Sequence, residues 1–190
     1  MRVDTKRLIL RGWEDRDRAP MAAIMGDPEV RRFFPRTLSP EQTSADIDAA
    51  IAKTAANGFH MSAVEHRETG ELLGLAGIGK VPDAIRSAIP SHPDVEVGWV
   101  LAQKFWGQGF APEAASAWLT HGFSHFGLGE IVAFTAALNR PSQRVMEKLG
   151  LTRVPSDDYE HPNIDPGHRL RPHVLYRMRR QDWTIRAARP

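Results

Sequence analysis

The sequence predicts a mixed α/β fold, a sheet of about six to seven strands with helices on both faces. Three observations lead to it. An antiparallel hairpin lies in the first half of the chain, and strand and helix signals alternate after it. The chain also has 190 residues, 42% of them apolar and 25% charged. That length and composition suit one globular domain over residues 1–190, with a core of useful size.

Each element follows from local signals. Arg7-Leu8-Ile9-Leu10-Arg11 is a short buried strand with an apolar centre between charged ends. Asp15–Met25 reads as a helix stopped by Gly26-Asp27-Pro28. Ser39-Pro40-Glu41 opens a second helix: Ser39 caps it, Pro40 suits the first turn, and Glu41 favours the positive helix end. This helix passes Ile47 and Ile51 and ends at Asn57-Gly58. Phe59–Glu65 and Leu72–Val81 are strands joined through the turn Glu68-Thr69-Gly70-Glu71. Pro82–Pro93, with three prolines and little periodicity, is expected to be a loop. Val95–Leu101 is a strand. Ala111–Phe126 is a helix with Ala115, Leu119, Gly122, Phe123 and Phe126 on one stripe. A strand at Glu130–Ala137 and a helix over Pro141–Leu149, stopped by Gly150, come next. A proline-rich tail then leads to a last strand at His173–Met178.

Composition excludes several classes. Cysteine is absent, so disulfides, thiolate zinc sites and cysteine nucleophiles are ruled out. No apolar run approaches the length of a membrane span, and Met1-Arg2-Val3-Asp4-Thr5 lacks the apolar stretch of an export signal. A cytoplasmic protein without membrane contact is expected. The net charge is only +2, and the bases are scattered except around Arg169, Arg171, Arg177, Arg179 and Arg180. With no concentrated basic face, no nucleic-acid partner is expected. His121 and His125 have the spacing of a metal pair but no third ligand, so they read as a helix flank and no metal is expected.

Two glycine-rich segments invite a phosphate reading. Gly74-Leu75-Ala76-Gly77-Ile78-Gly79-Lys80-Val81 has the spacing of a nucleotide-binding P-loop, but Val81 stands where a hydroxyl must hold magnesium. Pro82 and Asp83 also break the helix that should follow, which leaves a strand of small residues. Trp106-Gly107-Gln108-Gly109-Phe110-Ala111 lies between a strand and a helix that carries Pro112 in its first turn. Its glycines permit a turn whose N–H groups converge on an anion at the positive end of the helix. A glycine turn without a ligand has the same spacing.

This second segment resembles the pyrophosphate-binding loop of the GNAT superfamily of N-acetyltransferases, whose x-x-x-Gly-x-Gly/Ala binds coenzyme A. Asn139-Arg140-Pro141-Ser142-Gln143-Arg144-Val145-Met146-Glu147-Lys148-Leu149-Gly150-Leu151 resembles that superfamily's following motif, Asn-x-x-Ser…Glu-Lys-Leu-Gly-Phe. Thr5-Lys6-Arg7-Leu8-Ile9-Leu10-Arg11 and Asp27-Pro28-Glu29-Val30 look like the branch that acetylates ribosomal-protein N-termini (RimJ/RimL-like). The resemblance covers about residues 5–155, with 156–190 as a loop-rich tail ending in a strand. It implies a single GNAT domain that uses acetyl-CoA as co-substrate. The acceptor would be a primary amine, a protein N-terminus or a small molecule, acetylated directly in a ternary complex. A homodimer is compatible with the sequence, which does not dictate one.

The resemblance also assigns roles. The backbone of Trp106, Gly107, Gln108, Gly109, Phe110 and Ala111 cradles the pyrophosphate. Val100 and Leu101 at the preceding strand end bind the pantetheine arm, and a backbone N–H there polarises the thioester carbonyl. Asn139 bonds the pantetheine amides; a helix N-cap accounts for the same residue. Many members carry a Tyr that protonates the departing thiolate, and here that position is Met146. Ser142, one turn earlier on the same helix face, is the better donor. Glu96 alternates opposite Val95, Val97 and Trp99 on the strand leading to the cofactor, where a carboxylate serves as general base, directly or through water. A solvated strand Glu has the same pattern. Glu113 reads as a first-turn residue that complements the helix dipole. Met146 keeps a second reading in view: a GNAT-fold module that binds acyl-CoA as a sensor or scaffold without turnover.

Overall fold

The computed structural model describes residues 2–187; Met1 and 188–190, which the expected domain of 1–190 includes, lie outside the described residues. In chain order the elements are β1 (Arg2–Asp4), β2 (Leu8–Arg11), α1 (Arg18–Gly26), α2 (Pro40–Asn57), β3 (Ser62–His66), β4 (Leu72–Lys80), α3 (Asp83–Ala88) and β5 (Val95–Leu101). After these come α4 (Phe110–Ser124), β6 (Glu130–Ala136), α5 (Arg140–Leu149), β7 (Thr152–Arg153), β8 (Tyr159–Glu160), β9 (Pro172–Arg179) and α6 (Arg180–Ala187). The fold is mixed α/β, as expected, and its sheet is mostly antiparallel. The chain gathers into two compact units: residues up to Gly79 with Gly98–Ala117, and Lys80–Val97 with the residues from Trp118 onward.

In the first unit β1 to β4 form an antiparallel meander, with Val3 opposite Leu10, Leu10 opposite Val64, and Val64 opposite Gly74. Met21, Ile24 and Met25 of α1 and Ile47 of α2 pack with Ala63 and Leu72 to make its core. The start of α2 is a capping box: Ser39 accepts from the Gln42 N–H while the Gln42 side chain accepts from the Ser39 N–H. Beneath the meander lies a buried ionic group. The Arg11 guanidinium donates to Asp17 at 2.7 and 2.8 Å and to Glu65 at 2.8 Å. Hydrogen bonds to both carboxylates hold Arg11 fully charged despite its burial. The Gly74–Lys80 run is strand interior. At Gly74 a Cβ would stand 2.1 Å from the Val100 carbonyl oxygen, so glycine there is a condition of close backbone approach.

In the second unit β6 pairs antiparallel with β9 over seven residues, from Glu130 opposite Arg179 to Ala136 opposite His173. β7 and β8 add to β9, and Glu96 of β5 lies opposite Val132 in a parallel pair. The expected loop at 82–93 is corrected: it contains α3, whose Ile85 packs with Ile89, Val81, Val132, Tyr159 and Leu175. A six-residue helix between prolines is too short to show periodicity, and burial of Ile85 and of Ile89 at its end supplies what propensity does not. β1, β7 and β8 are further strands that the sequence did not announce, each two or three residues long. The tail past β9 continues as α6, and Arg180 at its start donates to the carbonyls of Phe123 and Leu128.

Candidate active site

The glycine loop is built in the first unit. A short 3-10 turn at Gln103–Phe105 follows β5, and the chain then enters α4 through Gly107 and Gly109, with φ of +75° and +81°. Only glycine takes both angles without strain. A Cβ at Gly107 would meet nothing within 4 Å, so the backbone there is open to a ligand. The polar side-chain groups of the loop bond back to the backbone just before it. The Trp106 indole donates to the Leu101 carbonyl at 2.8 Å, and the Gln108 amide donates to the Lys104 carbonyl at 2.8 Å. Phe110 is buried, with His66 and Phe105 edge-on to its ring. Ala111 and Pro112 follow in the first turn of α4, where N–H groups have no intrahelical partner. The loop therefore meets the requirements of a diphosphate cradle: positive-φ glycines, an open backbone and a helix start.

What anchors this loop is a pair the sequence did not single out. Glu113 accepts from the Thr5 hydroxyl at 2.6 Å, the Arg7 N–H at 2.8 Å and the Arg7 Nε at 2.7 Å. Arg7 in turn donates through Nη1 to the Gln108 carbonyl at 2.9 Å, and its guanidinium covers the Phe110 ring at 4.3 Å. Burial pushes the Glu113 carboxyl up, but the bonds from Thr5 and Arg7 outweigh it and leave the group below the usual range. Glu113 is thus a clamp on the loop as well as a first-turn acid. Arg7 lies inside a stretch already noted for its resemblance, but its contact spans more than a hundred residues, and no local pattern shows that.

The second unit carries the other candidates. Asn139 caps α5: its side-chain oxygen accepts from the Ser142 N–H at 3.2 Å, and its amide donates to the Thr135 hydroxyl at 2.9 Å. The capping role is therefore realised, and one N–H and a lone pair are left over. Ser142 is half-buried on the first turn of α5. Met146, one turn later, is 1% exposed and belongs to the core with Gln143 and Leu149. Glu96 is half-buried between the buried Val95 and Val97, as alternation required.

This fold and loop suit the class of enzymes that transfer a group from a nucleotide-linked donor, and comparison with known proteins identifies the class. A family model described as an acetyltransferase (GNAT) domain matches residues 7–152. Over 148 residues the chain is 33% identical to the Bacillus subtilis (strain 168) protein YkkB, covering 77% of this chain and 83% of that one. It is 30% identical over 153 residues to YnaD of the same organism, an N-acetyltransferase by name, covering 80% and 84%. A crystal structure of a Bacillus anthracis GNAT-family acetyltransferase superposes with a TM-score of 0.77 at 25% identity, covering 95% of this chain and 99% of that one. The chain belongs to the GNAT acetyltransferase family. It is an enzyme of acetyl transfer, and enzymes of this family use acetyl-CoA.

Proposed function

We propose that the chain acetylates a primary amine, a protein N-terminus or a small molecule, by direct transfer within a ternary complex with acetyl-CoA. The observation that carries this reading is the Gly107–Ala111 loop, an open positive-φ turn at the start of α4 pinned by Arg7 and Glu113. The RimJ/RimL-like branch, whose acceptors are protein N-termini, is favoured by the stretches Thr5–Arg11 and Asp27–Val30. The two compact units together form one acetyltransferase domain in this reading, because the family match runs through both.

Acetyl-CoA supplies an acetyl group already activated as a thioester. The protein's residues supply the rest. Backbone N–H groups of Trp106, Gly107, Gln108, Gly109, Phe110 and Ala111 bind the diphosphate, and the ends of Val100 and Leu101 receive the pantetheine arm. A strand-end N–H donates to the thioester carbonyl oxygen, where negative charge grows; such a donor commonly contributes about 3 kcal/mol. Asn139 uses its remaining N–H and lone pair on the pantetheine amides. Glu96 takes the proton that the ammonium must lose before it can attack. Ser142 donates to the departing sulfur, since the buried Met146 has no proton to give. The reading keeps the enzyme cytoplasmic; among the described residues no helix is long and apolar enough to cross a membrane.

Calorimetric titration with acetyl-CoA tests the reading, followed by thiol release with primary amines and peptides bearing free N-termini. Saturable binding, lost in Gly109→Glu, is expected, because that change puts a strained residue and a negative charge in the cradle. Glu96→Gln is expected to lower turnover and flatten its rise with pH while leaving acetyl-CoA affinity nearly intact. Binding without turnover on any acceptor would instead favour the sensor reading.

A further inference from the structure

The pairing registers of the second unit place one set of side chains on a single sheet face. Glu96 lies opposite Val132, Val132 opposite Arg177, Phe134 opposite Leu175, and Ala136 opposite His173, which is opposite Tyr159. Residues directly opposite in a sheet, and those two apart along a strand, share a face. Tyr159 packs there with Val132 and Leu175 and sits edge-on to Phe134, with ring centroids 5.9 Å apart. The rings of His173 and His161 also lie against it, with centroids 5.4 and 6.3 Å away. Tyr159 is 7% exposed, and among the described residues its hydroxyl has no hydrogen-bond partner. A buried donor left unpaired is costly, so a group kept this way on the face that carries Glu96 calls for a function.

We infer that Tyr159 is a positioning residue for Glu96, its buried O–H turning to the carboxylate, directly or through one water, when Glu96 stands charged and ready to take a proton. The inference rests on the proposed role of Glu96 as general base. Burial, and then the negative charge of Glu96, push the Tyr159 phenol far above its ordinary range, so it stays a neutral donor at every working pH. A donor to the ionised carboxylate favours the ionised form and keeps the base ready at lower pH. Other charged or titratable groups border this face. His173 is held neutral by burial, which takes its pKa down to about 4, and His161 is lowered by burial too. Arg177 is tied to Asp157 and Glu130, and Arg86 of α3 is tied to Asp94. Asp83 begins α3.

The test is the pH profile of kcat/KM for acetyl transfer to the best acceptor among the amines and peptides above, in wild type and Tyr159→Phe. The variant keeps the ring in its packing and removes only the oxygen. Its acid limb is expected to move up by about one pH unit, with acetyl-CoA affinity unchanged. Its thermal midpoint is expected to fall by no more than a few degrees, the share of one hydrogen bond, because the ring keeps its packing. In the Glu96→Gln background the same change should leave the profile as it was. A Tyr159→Phe enzyme with the wild-type profile overturns the inference alone, as does a lowered midpoint without a shifted limb, which marks a purely structural hydroxyl. A wild type that acetylates none of the acceptors overturns the reading of Glu96 and this inference together.

Discussion

Replacing Arg7 by alanine separates the glycine loop from its anchor. The substitution removes Nε to Glu113 at 2.7 Å, Nη1 to the Gln108 carbonyl at 2.9 Å, and the guanidinium over Phe110 at 4.3 Å. It leaves the Arg7 N–H on Glu113, which belongs to the backbone. The Arg7 side chain is 38% exposed, so solvent screens the ion pair to about 1 kcal/mol. Losing the ring contact adds about 0.5 kcal/mol, for a stability loss of about 1.5 kcal/mol. The larger effect falls on the ligand. A loop whose Gln108 carbonyl is no longer held must be ordered during binding. If the ordered form drops to about a tenth of the population, the Kd for acetyl-CoA rises about tenfold. Calorimetry on Arg7→Ala beside the wild type reads this directly, while kcat at saturating acetyl-CoA should stay near the wild-type value. Arg7→Lys should recover little, because one ammonium cannot reach both Glu113 and Gln108 with the guanidinium's geometry. A destabilised Arg7→Ala protein that binds acetyl-CoA with unchanged affinity would refute the clamp.

Three further outcomes are expected. Asp17→Ala leaves the buried Arg11 guanidinium short of a carboxylate and should cost about 3–5 kcal/mol in denaturant unfolding. Gly74→Ala drives a Cβ against the Val100 carbonyl and should cost at least about 2 kcal/mol, visible as a lower thermal midpoint. Burial lowers the pKa of His60 and His173 from 6.5 to about 4, so the unfolded chain takes up protons that the folded one refuses. Their contribution to stability is complete above pH 6.5 and is lost as the pH falls from 6.5 to 4; His60→Gln and His173→Gln should each flatten the thermal midpoint across that window.

Legibility differed between elements for physical reasons. α2 and α5 announce both ends, because Ser39 and Asn139 cap them and Gly58 and Gly150 end them in left-handed turns. Capping is local chemistry, so it can be read along the chain. α3 and the two-residue strands β7 and β8 carry no such signal; their neighbours hold them in place. The glycine loop could be read from spacing and resemblance. Its support by Arg7 and Glu113 could not, and neither could the packing of Tyr159 on the face of Glu96. Met146 was recognisable as a missing proton donor, but its burial in the core appears only once α5 is packed.

By itself, then, the sequence determined the class of fold, the order of most elements, the loop that suits a diphosphate and the family resemblance. These depend on alternation, capping and backbone freedom within a few residues of chain. Only the tertiary structure decided that Arg7 holds the loop, that Glu113 is a clamp, and that Tyr159 shares a face with Glu96. Each of those is a contact between segments far apart in sequence, and such contacts are chosen by burial and pairing register across the whole chain.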